Sequence, residues 1–374
     1  MKEILCDITA LKYHRTPPQA LLLCPPMPRV ETDRRRDRLR SNPTAAELLG
    51  LPLYLLVTSR NERACGATVR QRLFLGELPT GSIVEGLHGY DVVSPLMAVF
   101  TVSRRLSDLA TLLLLSELCS SFSPCSLPER LERALEETVV DHPQLASMKW
   151  ERCPATDKDE ASLWRRPRLV SSEDLWRFCH EIAPYRGGKR FGNIARHVVQ
   201  DAASPFEVEA ALLIALPRNM GGEGMRIKGM NVKIVLSERA KRLVDSEAVY
   251  ADILLESADG DIQVVLECQG KGTHGERGVN DSDAVRMTAL QSMGYTVYLL
   301  THDQISDEAK FSVTFKSICR DLDAPYYPKT PDEEEAERKL RGELFISWEK
   351  LGSINEPNGQ DRTLRPQWRV VPDK

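Results

Sequence analysis

The chain has 374 residues, 42% hydrophobic and 28% charged, with a formal net charge of −4. That make-up excludes wholesale disorder and fibrous repeats, and the length favours two or three domains, because single cores stop growing at roughly 250–300 residues. So even a charge balance gives no global footprint for nucleic acid.

The nine cysteines are scattered and form no CxxC pair, which argues against a zinc ribbon or a disulfide framework. Residues 1–18 lack the apolar run of a secretion signal, and the stretch Ala110–Leu115 is far shorter than the about 20 residues a bilayer requires. The expectation is a reduced, cytoplasmic protein with no membrane partner.

In chain order, residues 1–150 read as a mixed α/β accessory or regulatory domain. Leu51–Thr58, Ala67–Leu78 and Ser82–Val93 are predicted strands, and Pro79, Thr80 and Gly81 separate the last two. Ser94 and Pro95 then open a helix, as an N-cap and a first-turn proline. Helical spacing continues through Met97–Val102 and Leu106–Leu118. The basic run Arg34–Arg40 suits either a phosphate contact or a solvated face.

An amphipathic stretch, Leu127–Val140, lies in a polar segment. Residues 151–203 read as a helical connector. One helix starts at Ser171–Ser172, Pro184–Gly188 breaks it, and a second runs over Phe191–Val199. Arg186, Lys189, Arg190, Arg196 and His197 make this hairpin basic, which fits a phosphate-contacting face or an ordinary connector.

Residues 204–325 carry the chemistry. Ser204-Pro205-Phe206-Glu207 is a helix start with a capping-box pattern, and Pro217 ends that helix. Met220–Gly224 is a Gly-rich turn without the Lys-Ser/Thr of a phosphate-binding loop. Asn231–Leu236, Val249–Leu255 and Ile262–Cys268 are predicted strands, with Asp259–Gly260 marking a hairpin between the last two. Gln269–Gly278 is a Gly-rich loop holding Lys271 and His274. Asp281–Met293 is a helix stopped by Gly294, and Tyr295–Thr301 is the last strand. From 326 to 374 the chain is polar, with a short helix predicted over Ala336–Leu351 and a loose tail beyond it.

Asp252 and Glu267 lie at about equal distances from the hairpin turn, so they should meet as cross-strand neighbours. An acid at a strand end usually faces water. Glu267, however, closes the apolar run Val264-Val265-Leu266, and a carboxylate there needs a partner. Two close carboxylates repel unless a proton or cation sits between them. Oxygen-only ligation suits Mg²⁺ or Mn²⁺, which can activate water at a phosphodiester. Cys268 should face away from Glu267 and act as an apolar filler.

Taken together, Ser204–Glu207, Asp252 within Tyr-Ala-Asp-Ile-Leu, Glu267 within Val-Val-Leu-Glu-Cys-Gln-Gly, His274, Asp283-Ala-Val-Arg286 and Gly294-Tyr-Thr-Val resemble the PD-(D/E)xK nuclease superfamily. The likeness is to its very-short-patch-repair endonuclease-like branch and covers about a quarter of the chain. It implies a restriction-endonuclease-like α-β-β-β-α-β core and a Mg²⁺- or Mn²⁺-dependent endonuclease acting on DNA. Asp252 and Glu267 would bind the metal, and Glu207 would reach a metal-bound water. His274 would serve as acid, base or phosphate contact, while Asp283 and Arg286 would brace the helix or hold the loop. Gln269 stands where the family often has Lys; Gln can orient water but cannot transfer a proton, and Lys271 is the nearest substitute. A module of this fold that binds nucleic acid or regulates a toxin–antitoxin or abortive-infection system without catalysis is the alternative.

Leu53–Val57, the strand pair through Val93 and Ser94-Pro95-Leu96 resemble, more faintly, the effector half of abortive-infection antitoxin-type regulators. This likeness implies a two-part bacterial protein with a role in defence, whose N-terminal domain meets a protein partner.

Overall fold

The computed structural model describes residues 3–30, 37–59, 66–86, 89–141, 148–153, 162–269 and 277–352; side chains at 139–141 and 277–283 are outside the description. The fold is mixed α and β, with three sheets among the described residues. These residues fall into two units. One takes the described parts of Met1–Cys153, Ala161–Val198 and Ser347–Lys374; the other takes Val199–Ile346.

The first unit opens with β1 (Ile4–Leu5), α1 (Asp7–Arg15) and α2 (Pro18–Leu23). A five-stranded sheet follows from β2 (Leu53–Val57), β3 (Val69–Leu73), β4 (Ile83–Glu85) and β5 (Asp91–Val93), in the order β3-β2-β1-β5-β4. The single strand expected over Ser82–Val93 is thus a hairpin, with Ile83 opposite Val93 and Glu85 opposite Asp91. Glycine permits the tight return: a Cβ on Gly86 would lie 2.6 Å from the Tyr90 carbonyl oxygen.

The helices α3 (Pro95–Ser103) and α4 (Asp108–Leu118) are capped by the Ser94 and Ser107 hydroxyls, which accept from Met97 N and Ala110 N. Both are apolar on nearly every face and are buried accordingly. The strands β6 (Phe122–Pro124), β7 (Glu151–Arg152) and β8 (Leu163–Arg165) form a small antiparallel sheet, and α5 (Glu129–Asp141) lies between β6 and β7 in the chain.

The basic hairpin is α6 (Ser172–Ile182) and α7 (Gly188–Ala195). The second helix starts three residues before Phe191 and stops at Ala195. At the junction, a Cβ on Gly188 would sit 1.8 Å from the Ile182 carbonyl oxygen. The hairpin belongs to the first unit rather than to a separate connector. Phe178 and Phe191 pack edge-on against Phe100, and Arg190 is tied to Asp108 and to the carbonyls of Ser103 and Leu106.

The second unit is built from α8 (Pro205–Ala215), β9 (Ile227–Val235), α9 (Glu238–Val244), β10 (Ala248–Glu256), β11 (Gln263–Gln269), α10 (Arg277–Ser292) and β12 (Thr296–Thr301). Then come α11 (His302–Ser306), α12 (Glu308–Asp321) and α13 (Pro331–Leu344). The sheet order is β12-β11-β10-β9; β9, β10 and β11 run antiparallel, and β12 is parallel to β11 across α10. One core lies between this sheet and α9 and α10, where Ile234, Val249, Ala251, Val265, Ala289 and Leu290 meet.

The Gly-rich turn after α8 is a packing device. A Cβ on Gly221 would come within 2.5 Å of the Ala336 carbonyl oxygen, and one on Gly222 within 2.1 Å of that of Leu216. The last helix starts at Pro331 rather than Ala336, because Thr330 and Glu333 form a capping box behind a first-turn proline. It also ends early. Ser347–Gly352 belongs to the first unit, where Trp348 meets the Phe122 ring edge-on at 5.4 Å and the Leu351 carbonyl accepts from Arg15. The tail expected to be loose lies outside the described residues.

Candidate functional site

The site forms where the central pair of strands parts. The β10–β11 ladder runs from Glu256↔Gln263 to Ile253↔Leu266 and stops there. Beyond it, β10 stays paired with β9 back to Ala248↔Val235, while β11 stays paired with β12 out to Gln269↔Thr301. The sheet therefore forks. Continuing the register by one pair would set Asp252 opposite Glu267, at the crotch. Asp252 itself ends the ladder: its Oδ2 accepts from the backbone N–H of Cys268 at 2.7 Å, in place of a carbonyl across the strands.

Glu267 is 2% exposed and its carboxylate is paired with the Arg286 guanidinium on α10. The pair draws α10 onto the sheet at the fork. Such a buried carboxylate needs this cation or another in its place.

Glu207 enters from the first turn of α8. Its Oε1 accepts from the Ser204 hydroxyl at 2.9 Å; its Oε2 accepts from Ala203 N at 2.8 Å and from Asn231 Nδ2 at 2.6 Å. Those hydrogen bonds favour the charged form. Burial outweighs them, and with the neighbouring Asp252 charge pushes the Glu207 carboxyl up to about 7. Asp252 and Glu207 thus lie within electrostatic reach of one another.

Cys268 reports the same cluster. Burial pushes its thiol well above the usual range, and Asp252, Glu207, Glu267 and Glu209 each push it the same way. Cys268 is half-buried in the field of four carboxylates, and in that field its thiol stays protonated.

Sequence reasoning passed over two contributors. Glu209 is buried on α8. Its signal is the Glu-Val-Glu opening of a helix that is otherwise apolar all round, where an acid has no solvent face to occupy. Asn231 sits at φ +48° on β9 and bridges Glu207 to the Asp201 carbonyl, 2.9 Å away. Asn tolerates the left-handed region better than most side chains, so an Asn at the head of a strand pattern was the available cue.

The other candidates distribute as follows. Gln269 ends β11, half-buried and paired with Thr301. Lys271 and His274 lie outside the described residues, and so does the side chain of Asp283 on α10.

The donor set is carboxylate oxygen, the chemistry of a hard divalent cation. The repulsion from Asp252, which adds to burial in lifting Glu207, is what such a cation relieves. Among the described residues, however, no group of three or more His, Cys, Asp or Glu side chains is placed to hold a metal ion.

A cavity of about 670 Å³ opens at the opposite, hairpin end of β10 and β11, between Arg226, Lys228, Glu256, Phe315 and Tyr327. It does not include the fork. No described helix is long and apolar enough to cross a membrane. Compared with protein-family models, curated proteins and solved structures, the chain shows no match.

Proposed function

We propose that the second unit is a restriction-endonuclease-like module that hydrolyses DNA phosphodiester bonds with a divalent metal, Mg²⁺ or Mn²⁺. The observation that carries this is the fork where β10 and β11 part, with Asp252 and Glu267 at its crotch and Glu207 within electrostatic reach of Asp252. The succession α8, β9, α9, β10, β11, α10, β12, which is the expected core with the short α9 inserted between its first two strands, supports the fold assignment.

Asp252 and Glu267 would hold the ion, which when bound supplies an activated water and stabilises charge on the phosphate. Glu207, with a carboxyl near neutrality, can take up or release a proton at its Oε atoms. Asn231 and Ser204 hold it in one orientation. Arg286 neutralises Glu267 in the ion's absence, which keeps the fork folded. Gln269 can orient a water but cannot relay a proton.

A second reading has its own support. Glu267 is already paired with Arg286, and Gln269 replaces the lysine of the resembled pattern. These features suit a nuclease fold kept as a nucleic-acid-binding or defence-regulating module.

The test is cleavage of plasmid and single-stranded DNA with Mg²⁺ or Mn²⁺, comparing the wild type with Glu267→Gln and Asp252→Asn, each checked for folding by circular dichroism. The expected result is metal-dependent cleavage that falls in both variants by more than the about 10–100-fold typical of losing an outer-shell partner. Equal cleavage by all three proteins overturns the proposal. DNA binding without cleavage in all three favours the second reading.

A further inference from the structure

The β9–β10 arm of the fork has an uncovered face. Ile234, Val249 and Ala251 are buried against α9 and α10. The alternate positions are open: Tyr250 is 53% exposed, Val235 is 66% exposed, and Lys233 is exposed as well. The register sets Tyr250 opposite Lys233 and Ala248 opposite Val235, so these side chains share one face. Asn231 and Asp252 come next along the two strands, where the left-handed Asn231 interrupts the alternation, and the Cα atoms of Tyr250 and Asp252 are about 7 Å apart along the strand.

We infer that this face is a platform for single-stranded DNA. Tyr250 stacks on an unpaired base, Lys233 meets a backbone phosphate, and the next phosphodiester is delivered to the carboxylates. This rests on reading the fork as a phosphodiesterase site.

Two comparisons of magnitude select the occupant. Duplex binding draws on many phosphate contacts at once, typically about 6–10 cations. Residues 204–325 carry 13 basic and 19 acidic side chains, and this face offers Lys233. Stacking needs no net charge and contributes about 1–3 kcal/mol per base. A stacked base must be unpaired, so the face favours a single strand, as sheet platforms with exposed aromatics do. A second copy of the chain added along β9 is disfavoured by Lys228 and Lys233 on that edge and by the left-handed Asn231 within it.

The test is fluorescence anisotropy in EDTA, with a labelled 20-nucleotide oligothymidine strand and a duplex of the same length. The proteins are the wild type, Tyr250→Ala, Tyr250→Phe and Lys233→Ala. The expected result is tighter binding of the single strand, weakened about 5- to 150-fold in Tyr250→Ala and largely kept in Tyr250→Phe. In Lys233→Ala the slope of log K against log salt should fall by about 0.7. Equal binding of the single strand by Tyr250→Ala and wild type, preference for the duplex, or no binding at all overturns the platform. Dimerisation that disappears in Tyr250→Ala does so too, and assigns the face to a second copy.

The two proposals fail separately. Tyr250-dependent strand binding by a protein that never cuts removes the nuclease and keeps the platform. Glu267-dependent cleavage whose kcat/KM is unchanged in Tyr250→Ala removes the platform and keeps the nuclease.

Discussion

At the residue scale, Glu207 is the most informative side chain. Three donors converge on its carboxyl, yet burial and Asp252 lift it to about 7. A carboxyl raised by folding contributes stability that is complete below its unfolded value and is lost as the pH climbs through the folded one. The stability of the second unit should therefore decline from about pH 5 to about pH 8, and Glu207→Gln, which cannot ionise, should flatten that decline. Urea midpoints of both proteins across this range are the check; parallel curves would mean that Glu207 titrates normally. The capping pattern made Glu207 visible in the sequence. Its neighbours in space were not, because Asn231 and Asp252 lie 24 and 45 positions away.

At the scale of elements, the second unit is held by polar ties as well as by its sheet. Lys329, just before α13, is nearly buried between Glu223 at 2.7 Å and Glu337 at 2.5 Å, and Arg341 donates to Glu337 at 2.8 Å. Removing one member of such a network leaves buried charge without compensation, which costs far more than the intact network contributes. Lys329→Met should destabilise the unit by about 3–5 kcal/mol, measured by chemical denaturation. A change below about 1 kcal/mol would show that solvent reaches these carboxylates. The sequence presents this region only as a polar, acidic segment after the last strand. The Thr330–Glu333 box and Pro331 mark the start of the helix plainly, but which face of α13 is buried depends on the close approach of Gly221 to Ala336.

At the scale of the whole molecule, each unit has its own apolar interior, so truncation in either core should act locally. Leu113 on α4 and Leu266 on β11 are both fully buried. Scanning calorimetry should show two transitions. Leu113→Ala should lower one and Leu266→Ala the other, by about 2–5 kcal/mol each. One shared transition moved by both variants would mean that the units unfold together.

By itself the sequence determined the local elements: serine caps, first-turn prolines, the hairpin turn at Asp259–Gly260, and the equal spacing of Asp252 and Glu267 from it. These depend on near neighbours in the chain, where backbone geometry and short-range hydrogen bonds decide. Only the tertiary structure decided that the β10–β11 ladder ends at Asp252, that Arg286 from α10 neutralises Glu267, and that Glu207, Glu209 and Cys268 share one electrostatic neighbourhood. Period-2 patterning says which residues share a face of a strand. Which face is covered, and where two strands part, follows from the packing of helices distant in the chain.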